Sequence, residues 1–124
     1  MAGEQNVETA KRAYAAFSAG DGAGAMEAVA DDIEWITPGN SAISGTIHGK
    51  QEVGAMWAKL GEKGFTTAPQ FWFSDADRVV VLTHITVEGG EADSCDVLTF
   101  RDGKLVKFQS AGDTAMFERV FGSA

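Results

Sequence analysis

The dominant spacing of the hydrophobic positions changes near residue 65 of this chain. Up to about residue 60, apolar side chains recur every three to four residues, which is the spacing of one face of an amphipathic helix. Gly20 and Pro38 mark breaks within this half. The first half therefore predicts helices at residues 7–19, about 21–30 and about 50–60, with one strand at residues 33–37.

From Phe65 onward, apolar and polar residues alternate, which is the pattern of strands with one buried face. Short turn signals divide this half into four strands, at residues 65–74, 78–87, 91–101 and 104–111, before a final helix at 114–121 capped by Asp113. Helices followed by an antiparallel meander predict an α+β domain, with helices on one face of a curved sheet.

Asp102-Gly103 is the clearest turn in the sequence, because both residues accept the positive φ of a type I′ hairpin. On the strand before the turn, Asp96, Leu98 and Phe100 share a face, since side chains alternate with a period of two. We expect Val106, Phe108 and Ser110 of the next strand to lie on the same side. Asp96 is then a carboxyl among apolar neighbours, and its pKa should rise if that face is buried.

Composition narrows the class of protein. The formal net charge is -8 and the ten basic residues are scattered, which argues against nucleic acid or an anionic membrane surface as partner. The single cysteine, Cys95, cannot form an internal disulfide and fits a reducing compartment. No apolar run approaches the length of a membrane span, so a soluble, cytoplasmic protein is expected. The 124 residues are interpreted as one domain in which residues 1–6 are flexible.

Four short segments occur in an order that resembles a known family. They are Ala-Gly-Asp at 19–21, Ala-Asp-Asp-Ile-Glu-Trp at 30–35, Ser-Gly-Thr-Ile-His-Gly-Lys at 44–50 and Phe-Arg-Asp-Gly-Lys-Leu-Val at 100–106. Together they resemble the SnoaL-like branch of the nuclear-transport-factor-2-like superfamily over nearly the whole chain. The resemblance implies a cone-shaped curved antiparallel sheet wrapped by helices, a cystatin-like α+β barrel, which is commonly a homodimer with an apolar pocket. The family includes polyketide cyclases, ketosteroid isomerases, limonene epoxide hydrolases and binding domains, so the fold alone does not decide the chemistry.

Asp96 is the first candidate for chemistry. By resemblance it falls where the ketosteroid isomerases carry the protonated aspartic acid of their oxyanion hole. Tyr14, on the apolar stripe of the first helix, lies near the position of their oxyanion tyrosine and could donate a hydrogen bond to a ligand or to Asp96. Two alternatives stay open: Asp96 as an exposed strand residue, and Tyr14 as a core tyrosine.

Two positions depart from the chemistry of the named relatives. The general base of the isomerases is replaced by Thr37, and the carboxylate of the cyclases by Ser110. A hydroxyl cannot act as a carboxylate base near neutral pH. Both residues are retained as ligand-binding candidates.

The two histidines are weaker candidates. His84 could shuttle a proton, but it alternates out of phase with Val81 and Ile85. If those residues face the pocket, His84 is instead a structural or interface histidine on the other side of the sheet, where this fold commonly dimerises; a bulge would reverse that. His48, before the third helix, could contact an entering ligand or could be a solvated loop residue. Neither forms a metal signature, and no metal or nucleotide cofactor is expected.

Large aromatic and aliphatic side chains supply the expected pocket walls, with Trp57 packing the third helix on the sheet. The predicted walls are Trp35, Leu98, Phe100 and Phe108. The run Phe71-Trp72-Phe73 places aromatic rings on both faces of one strand, which predicts a second subunit against one of them.

Three hypotheses follow from the sequence, of which the third is a pure interaction domain whose cone is filled. In the first, the protein is a cofactor-free isomerase- or cyclase-type enzyme that moves a proton on an apolar carbonyl or enol compound of polyketide or steroid type, using Asp96 with Tyr14. In the second, it is a dimeric binding module with the same pocket and no activity. Whether the protein is an enzyme stays open at this point.

Overall fold

The computed structural model describes residues 2–124 and consists of one curved six-stranded sheet with four helices. The helices are α1 (Ala2–Ser18), α2 (Gly22–Met26), α3 (Gly49–Glu62) and α4 (Thr114–Phe121). The strands are β1 (Val29–Thr37), β2 (Gly45–His48), β3 (Thr66–Asp75), β4 (Arg78–Val87), β5 (Gly90–Arg101) and β6 (Lys104–Ala111). The predicted α+β class with a curved sheet is confirmed.

The strand order is β2-β1-β6-β5-β4-β3. The predicted meander from β3 to β6 is antiparallel throughout, as is the β1–β2 pair, whereas β1 runs parallel to β6. Irregular registers interrupt three of the pairs, and such bulges bend a sheet and increase its twist. The sheet is therefore bent around the helices packed on its inner face.

Two clusters of buried side chains fill the space between the inner face and the helices. One joins α1 and α3 to the middle of the sheet, around Ile33, Val81 and Leu98. The other lies under α4 and the end of α3, around Met116 and Leu60. Burial of these apolar side chains is the main favourable contribution to folding.

The β5–β6 hairpin turns where the sequence predicts it. Asp102 and Gly103 both have positive φ, 52° and 78°, as a type I′ turn requires. A bulge after Thr99 pairs Phe100 with Leu105, so that Leu105 is buried and Val106 is displaced from the expected face. The expectation for Val106 was wrong, while Phe108 and Ser110 lie opposite Leu98 and Asp96 as expected.

Some element boundaries differ from the sequence-based prediction. The segment at residues 2–6, expected to be flexible, forms the first turn of α1; Met1 lies outside the described residues. α2 ends at Met26, β1 begins at Val29, and the short edge strand β2 falls in a stretch predicted to be a loop. Asp113 caps α4 as predicted, because its carboxylate accepts a hydrogen bond from the backbone N–H of Met116 at 2.9 Å.

Over residues 2–124, none of the helices combines the length and the apolar character needed to cross a membrane.

Candidate functional site

A cavity of about 100 Å³ lies between the inner face of the sheet and the helices. Its lining is mostly apolar and comes from all four helices, from β1, β4, β5 and β6, and from the loop residues Ile43 and Phe65. Five polar side chains are included in that lining: Tyr14, Thr37, Ser94, Asp96 and Ser110.

Asp96 is the centre of this polar group. Its side chain is buried, with 5 % of the residue exposed. The Tyr14 hydroxyl donates a hydrogen bond of 2.6 Å to Asp96 Oδ2, and the Ser94 hydroxyl donates one of 3.3 Å to Asp96 Oδ1. Both carboxylate oxygens therefore have a partner, as a buried carboxyl requires.

Burial raises the pKa of Asp96 from 3.8 to about 6, because desolvation penalises the charged form. Interactions with Tyr14, Ser94 and Ser110 act in the opposite direction and limit the rise. The pKa of Tyr14 is raised well above 10, first by burial and then by the charge of Asp96. Near neutral pH, the Tyr14 hydroxyl keeps its proton and donates a hydrogen bond. Asp96 gains or loses its proton within the physiological pH range.

Strand register and helix packing together place these groups. Asp96 lies on β5 between Val81 of β4 and Ser110 of β6, all on the inner face. Tyr14 reaches it from α1, where its ring contacts Trp72 edge to face at a centroid distance of 5.5 Å. The alternative of an exposed Asp96 is therefore wrong, whereas Tyr14 both packs against the core and donates a hydrogen bond to Asp96.

Thr37 and Ser110 line the same cavity, so the structure brings both to the position that the sequence suggested. Thr37 ends β1 and is buried, and Ser110 lies directly opposite Asp96. Their hydroxyls can donate to or accept from a ligand oxygen.

Five rings in continuous contact form one side of the cavity, and we refer to them as the aromatic wall: Phe17, Trp35, Trp57, Phe65 and Phe108. Trp35 stacks on Phe108 with ring centroids 3.8 Å apart and an interplanar angle of 12°. Trp57 touches Trp35 and Phe17 edge to face, at 5.9 and 5.4 Å. Trp35, Phe108 and Leu98 thus occupy the predicted walls, and Trp57 also lines the cavity.

His84 is not part of this site. Val81 and Ile85 point inward and are buried, so His84 projects from the outer face of the sheet. Its Nδ1 lies 2.8 Å from Asp93 Oδ1, and its Nε2 lies 3.8 Å from Glu91 Oε1. The structure therefore does not bring His84 to Asp96, and the hypothesis that His84 shuttles a proton in the pocket is wrong, because alternation turns its side chain outward.

Two other predicted ligand-binding residues lie away from the cavity lining. His48 is exposed, with Nε2 3.4 Å from Glu34 Oε2. Phe100 is buried in the same core cluster as Leu98 but does not line the cavity. Both are corrected as ligand contacts.

Sequence reasoning did not single out Ser94 or several cavity-lining residues on the helices. Ser94 shares the inner face with Asp96 at a spacing of two, so the period of the strand could have identified it. The helix contributors Phe17, Met56 and Leu60 depend on how α1 and α3 pack, which local patterns do not specify.

No Lys, Arg or His occurs in the cavity lining, as far as residues 2–124 define it. Within the same residues, no three His, Cys, Asp or Glu side chains converge as metal ligands would. The site therefore offers hydroxyls and one carboxyl set in an aromatic and aliphatic surface, an arrangement suited to an apolar ligand with one polar group.

Comparison with known proteins is consistent with this geometry. Residues 10–108 match the family described as the SnoaL-like domain. This chain belongs to the SnoaL-like family. The search of curated proteins found no significant match.

Several solved structures are similar to this chain over almost its whole length. Bal32a, from a soil-derived mobile gene cassette, is 28% identical with a TM-score of 0.92 and 98% and 99% of the two chains covered. TerC, co-crystallised with polyporic acid, is 28% identical with a TM-score of 0.83, covering 96% of this chain and 99% of its own. A protein of unknown function with a cystatin-like fold from Xanthomonas campestris is 26% identical, with a TM-score of 0.87 and coverage of 94% and 98%. These likenesses, with others described as NTF2-like, confirm the predicted superfamily and fold.

Proposed function

We propose that this SnoaL-like protein binds a small apolar molecule bearing a carbonyl or enol group and moves a proton on it without a cofactor. The observation that carries the proposal is the buried carboxyl of Asp96, hydrogen-bonded to Tyr14 at 2.6 Å inside an apolar cavity. A buried carboxyl with a displaced pKa in a cavity is typical of acid–base sites.

The protonation of Asp96 suits it to both directions of a proton transfer. With a pKa of about 6, it is mostly a carboxylate at neutral pH and is still protonated in a minor fraction of molecules. A group whose pKa lies near the working pH is both an adequate base and an adequate acid. One carboxyl can therefore remove a proton and return it elsewhere on the same ligand.

The proposed step uses only groups that line the cavity. The Asp96 carboxylate takes a proton from the carbon beside the ligand carbonyl; the C–H bond breaks, an O–H bond forms on Asp96, and the electron pair moves to the ligand oxygen. Protonated Asp96 is a weaker acceptor, so the Tyr14 hydrogen can turn from it to the enolate oxygen. Return of the proton from Asp96 to another carbon completes an isomerisation. If the Asp96 proton is first replaced by one from water, its delivery to the first carbon completes an exchange.

The structural relative TerC was co-crystallised with polyporic acid, which supports the oxygen chemistry of the proposed ligand and not its size or charge. Polyporic acid is a hydroxyquinone, and it combines aromatic rings with carbonyl and enol oxygens. An aromatic wall beside a group of hydroxyls and a carboxyl is complementary to that chemistry.

A second candidate function is binding without turnover in the same cavity. Thr37 and Ser110 favour it, because both place a hydroxyl where the resemblance to isomerases and cyclases leads us to expect a carboxylate. Asp96 would then be a hydrogen-bonding partner that selects ligands with a matching oxygen.

The test uses cyclohexenone as a probe in deuterated water. NMR monitors the rate at which deuterium replaces its acidic C–H protons. We expect exchange to be faster with the wild-type protein than in buffer, and Asp96→Asn to lower the protein-dependent rate by about 100-fold or more, since acid–base groups contribute 10²–10⁴-fold. Asp93→Asn is the matched control, because Asp93 is on the same strand but faces outward and is exposed.

The outcomes separate the two functions. Exchange that is lost in Asp96→Asn and kept in Asp93→Asn supports the enzyme. Binding of the probe that depends on Asp96 without any exchange supports the binding module. Exchange that survives Asp96→Asn unchanged would reject the proposed role of Asp96.

We also propose that two copies of the chain associate through the outer face of the sheet. Phe71 and Phe73 of β3 are exposed by 58% and 55%, and Leu82 on the neighbouring strand by 37%. Phe71 and Leu82 are paired across the strands, so these side chains form one apolar patch. Trp72, between the two phenylalanines, packs inward against the core. Contiguous exposed apolar side chains of this kind are typical of an interface.

A further inference from the structure

The size and the charge of the cavity restrict the ligand more narrowly than the proposed function does. We infer that the cavity selects a compact, uncharged, one-ring molecule with a carbonyl or hydroxyl oxygen, and rejects both fused polycyclic compounds and organic anions. The inference rests on the proposed function, because it assumes that this cavity is the ligand site.

The volume sets the first restriction. The cavity measures about 100 Å³. For scale, an apolar protein cavity of about 150 Å³ accepts benzene. The cavity has about two thirds of that volume, so one small ring is the most that it can enclose, and the four fused rings of a steroid need several times the space. The steroid- or polyketide-sized ligand that the family resemblance suggested, like the polyporic acid co-crystallised with TerC, therefore exceeds the space that this chain provides.

The aromatic wall keeps the volume from expanding easily. Its five rings brace one another from Phe65 through Phe17, Trp57 and Trp35 to Phe108. Displacing one of them breaks contacts with its neighbours, and a closely packed interior resists such rearrangement. The flat surface that the wall presents also favours a planar ring over a bulky aliphatic cage.

The lining sets the second restriction. Its only charged group at neutral pH is Asp96, and no cationic side chain from residues 2–124 lines the cavity. An organic anion would lose its hydration, gain no counter-ion and lie beside a carboxylate of the same sign. A neutral oxygen, in contrast, can exchange hydrogen bonds with Tyr14, Ser110 and Thr37.

Binding of four probes tests both restrictions, measured by quenching of the tryptophan fluorescence of the wall and by calorimetry. Phenol, naphthol and androstenedione increase in ring number, and benzoate is a one-ring anion. At about pH 8 we expect phenol to bind at least about tenfold more tightly than naphthol, androstenedione not to bind, and benzoate to bind at least about tenfold more weakly than phenol. Asp96→Asn should weaken the binding of phenol and narrow the difference in affinity between phenol and benzoate. Asp93→Asn should change neither affinity.

A widened cavity gives a second measurement. Met56 lines the cavity from α3, and Met56→Ala removes side-chain volume at a helical position that accepts alanine. We expect this variant to bind naphthol more tightly than the wild type does, with an unchanged helical circular dichroism spectrum. If Met56→Ala does not fold, the wild-type series of probes still decides the question.

The results distinguish this inference from the proposed function. Androstenedione or naphthol binding to the wild type as tightly as phenol, and weakened by Asp96→Asn, would overturn the size restriction and leave the proposed function intact. Benzoate binding as tightly as phenol would overturn the charge restriction in the same way. If no probe of any size binds in an Asp96-dependent manner, the proposed function fails, and this inference fails with it.

Discussion

Asp93 and Asp96 lie three residues apart on β5 and have opposite surroundings. Asp96 faces inward, is buried and receives hydrogen bonds from Tyr14 and Ser94. Asp93 faces outward, and its exposed carboxylate lies 2.8 Å from His84. The residue type is the same, and the odd spacing places the two on opposite faces of the sheet. The face of the strand, rather than the presence of a carboxyl, determines which aspartate can carry proton chemistry.

The same division applies to the apolar residues of the two faces. On the inner face, Leu98 is buried and lines the cavity. On the outer face, Leu82 is 37% exposed and adjoins Phe71. Inner leucines contribute to stability by burial, whereas outer ones contribute mainly when a partner covers them. The predictions below test this contrast in order of the expected change in the free energy of unfolding.

Leu98→Ala should have the largest effect, lowering the free energy of unfolding by about 2–5 kcal/mol, because it removes a buried side chain and enlarges the cavity. Leu82→Ala, the matched variant on the outer face, should cost less than about 1 kcal/mol. Urea denaturation at low protein concentration measures both. Equal losses at the two positions would contradict the assignment of inner and outer faces.

Asp96→Asn should stabilise the protein at about pH 8. Below about pH 4 the folded and unfolded chains both carry a protonated Asp96, and between about pH 4 and 6 only the folded chain keeps the proton, so the unfolding free energy falls as pH rises. Above the folded pKa of about 6 the cost is fully present, at about 3 kcal/mol for a displacement from 3.8. Removing the charge should recover up to that amount.

The pH dependence is the decisive readout for Asp96→Asn. Thermal denaturation of the variant and the wild type should differ most at about pH 8 and converge near pH 4. Asp93→Asn should follow the wild type at every pH, apart from a small loss from its exposed contact with His84. If Asp96→Asn stabilises the protein by the same amount at every pH, desolvation of the Asp96 carboxylate is not the cause of the stabilisation.

Tyr14→Phe should lower the free energy of unfolding by about 1–3 kcal/mol, because it leaves a buried carboxylate oxygen without its donor. The same change should raise the pKa of Asp96 further above about 6, since the Tyr14 hydrogen bond holds it down. NMR titration of the Asp96 carboxyl measures the pKa. A pKa that is unchanged or lower in the variant would contradict the direct contact.

Phe71→Ser should change the unfolding free energy least, by less than about 0.5 kcal/mol for the separate chain, because the side chain is exposed. Its effect should appear in association: if two copies meet at the outer face, the variant should shift sedimentation toward the monomer. Ser74→Ala, also exposed on β3, serves as control. Unaltered association in Phe71→Ser would remove this patch from the proposed interface.

The sequence was sufficient for features that depend on local alternation. The inner-face positions of Asp96 and Leu98, the turn at Asp102-Gly103 and the meander from β3 to β6 all follow from a period of two and a strong turn signal. The same rule predicted that His84 faces away from the pocket if Val81 and Ile85 face inward, and both of those residues are buried.

Other features depend on interactions between distant parts of the chain, and local patterns did not show them. The bulge after Thr99 places Leu105 on the inner face instead of Val106, and no sequence signal marks this bulge. β2 is only four residues long and lies at the edge of the sheet, where alternation cannot be recognised. The hydrogen bond from Tyr14 to Asp96 joins residues 82 positions apart and requires the docking of α1 on the sheet.

The parallel pairing of β1 with β6 has a consequence for how the chain folds. Trp35 pairs with Phe108, so this contact closes most of the chain into a loop, whereas β3 to β6 are joined by short turns. Closing a long loop costs more entropy than forming hairpins, and such contacts slow folding. We expect the meander to form first and β1 to dock late. The stacked Trp35 and Phe108 then make the closing step of folding also the step that completes the aromatic wall.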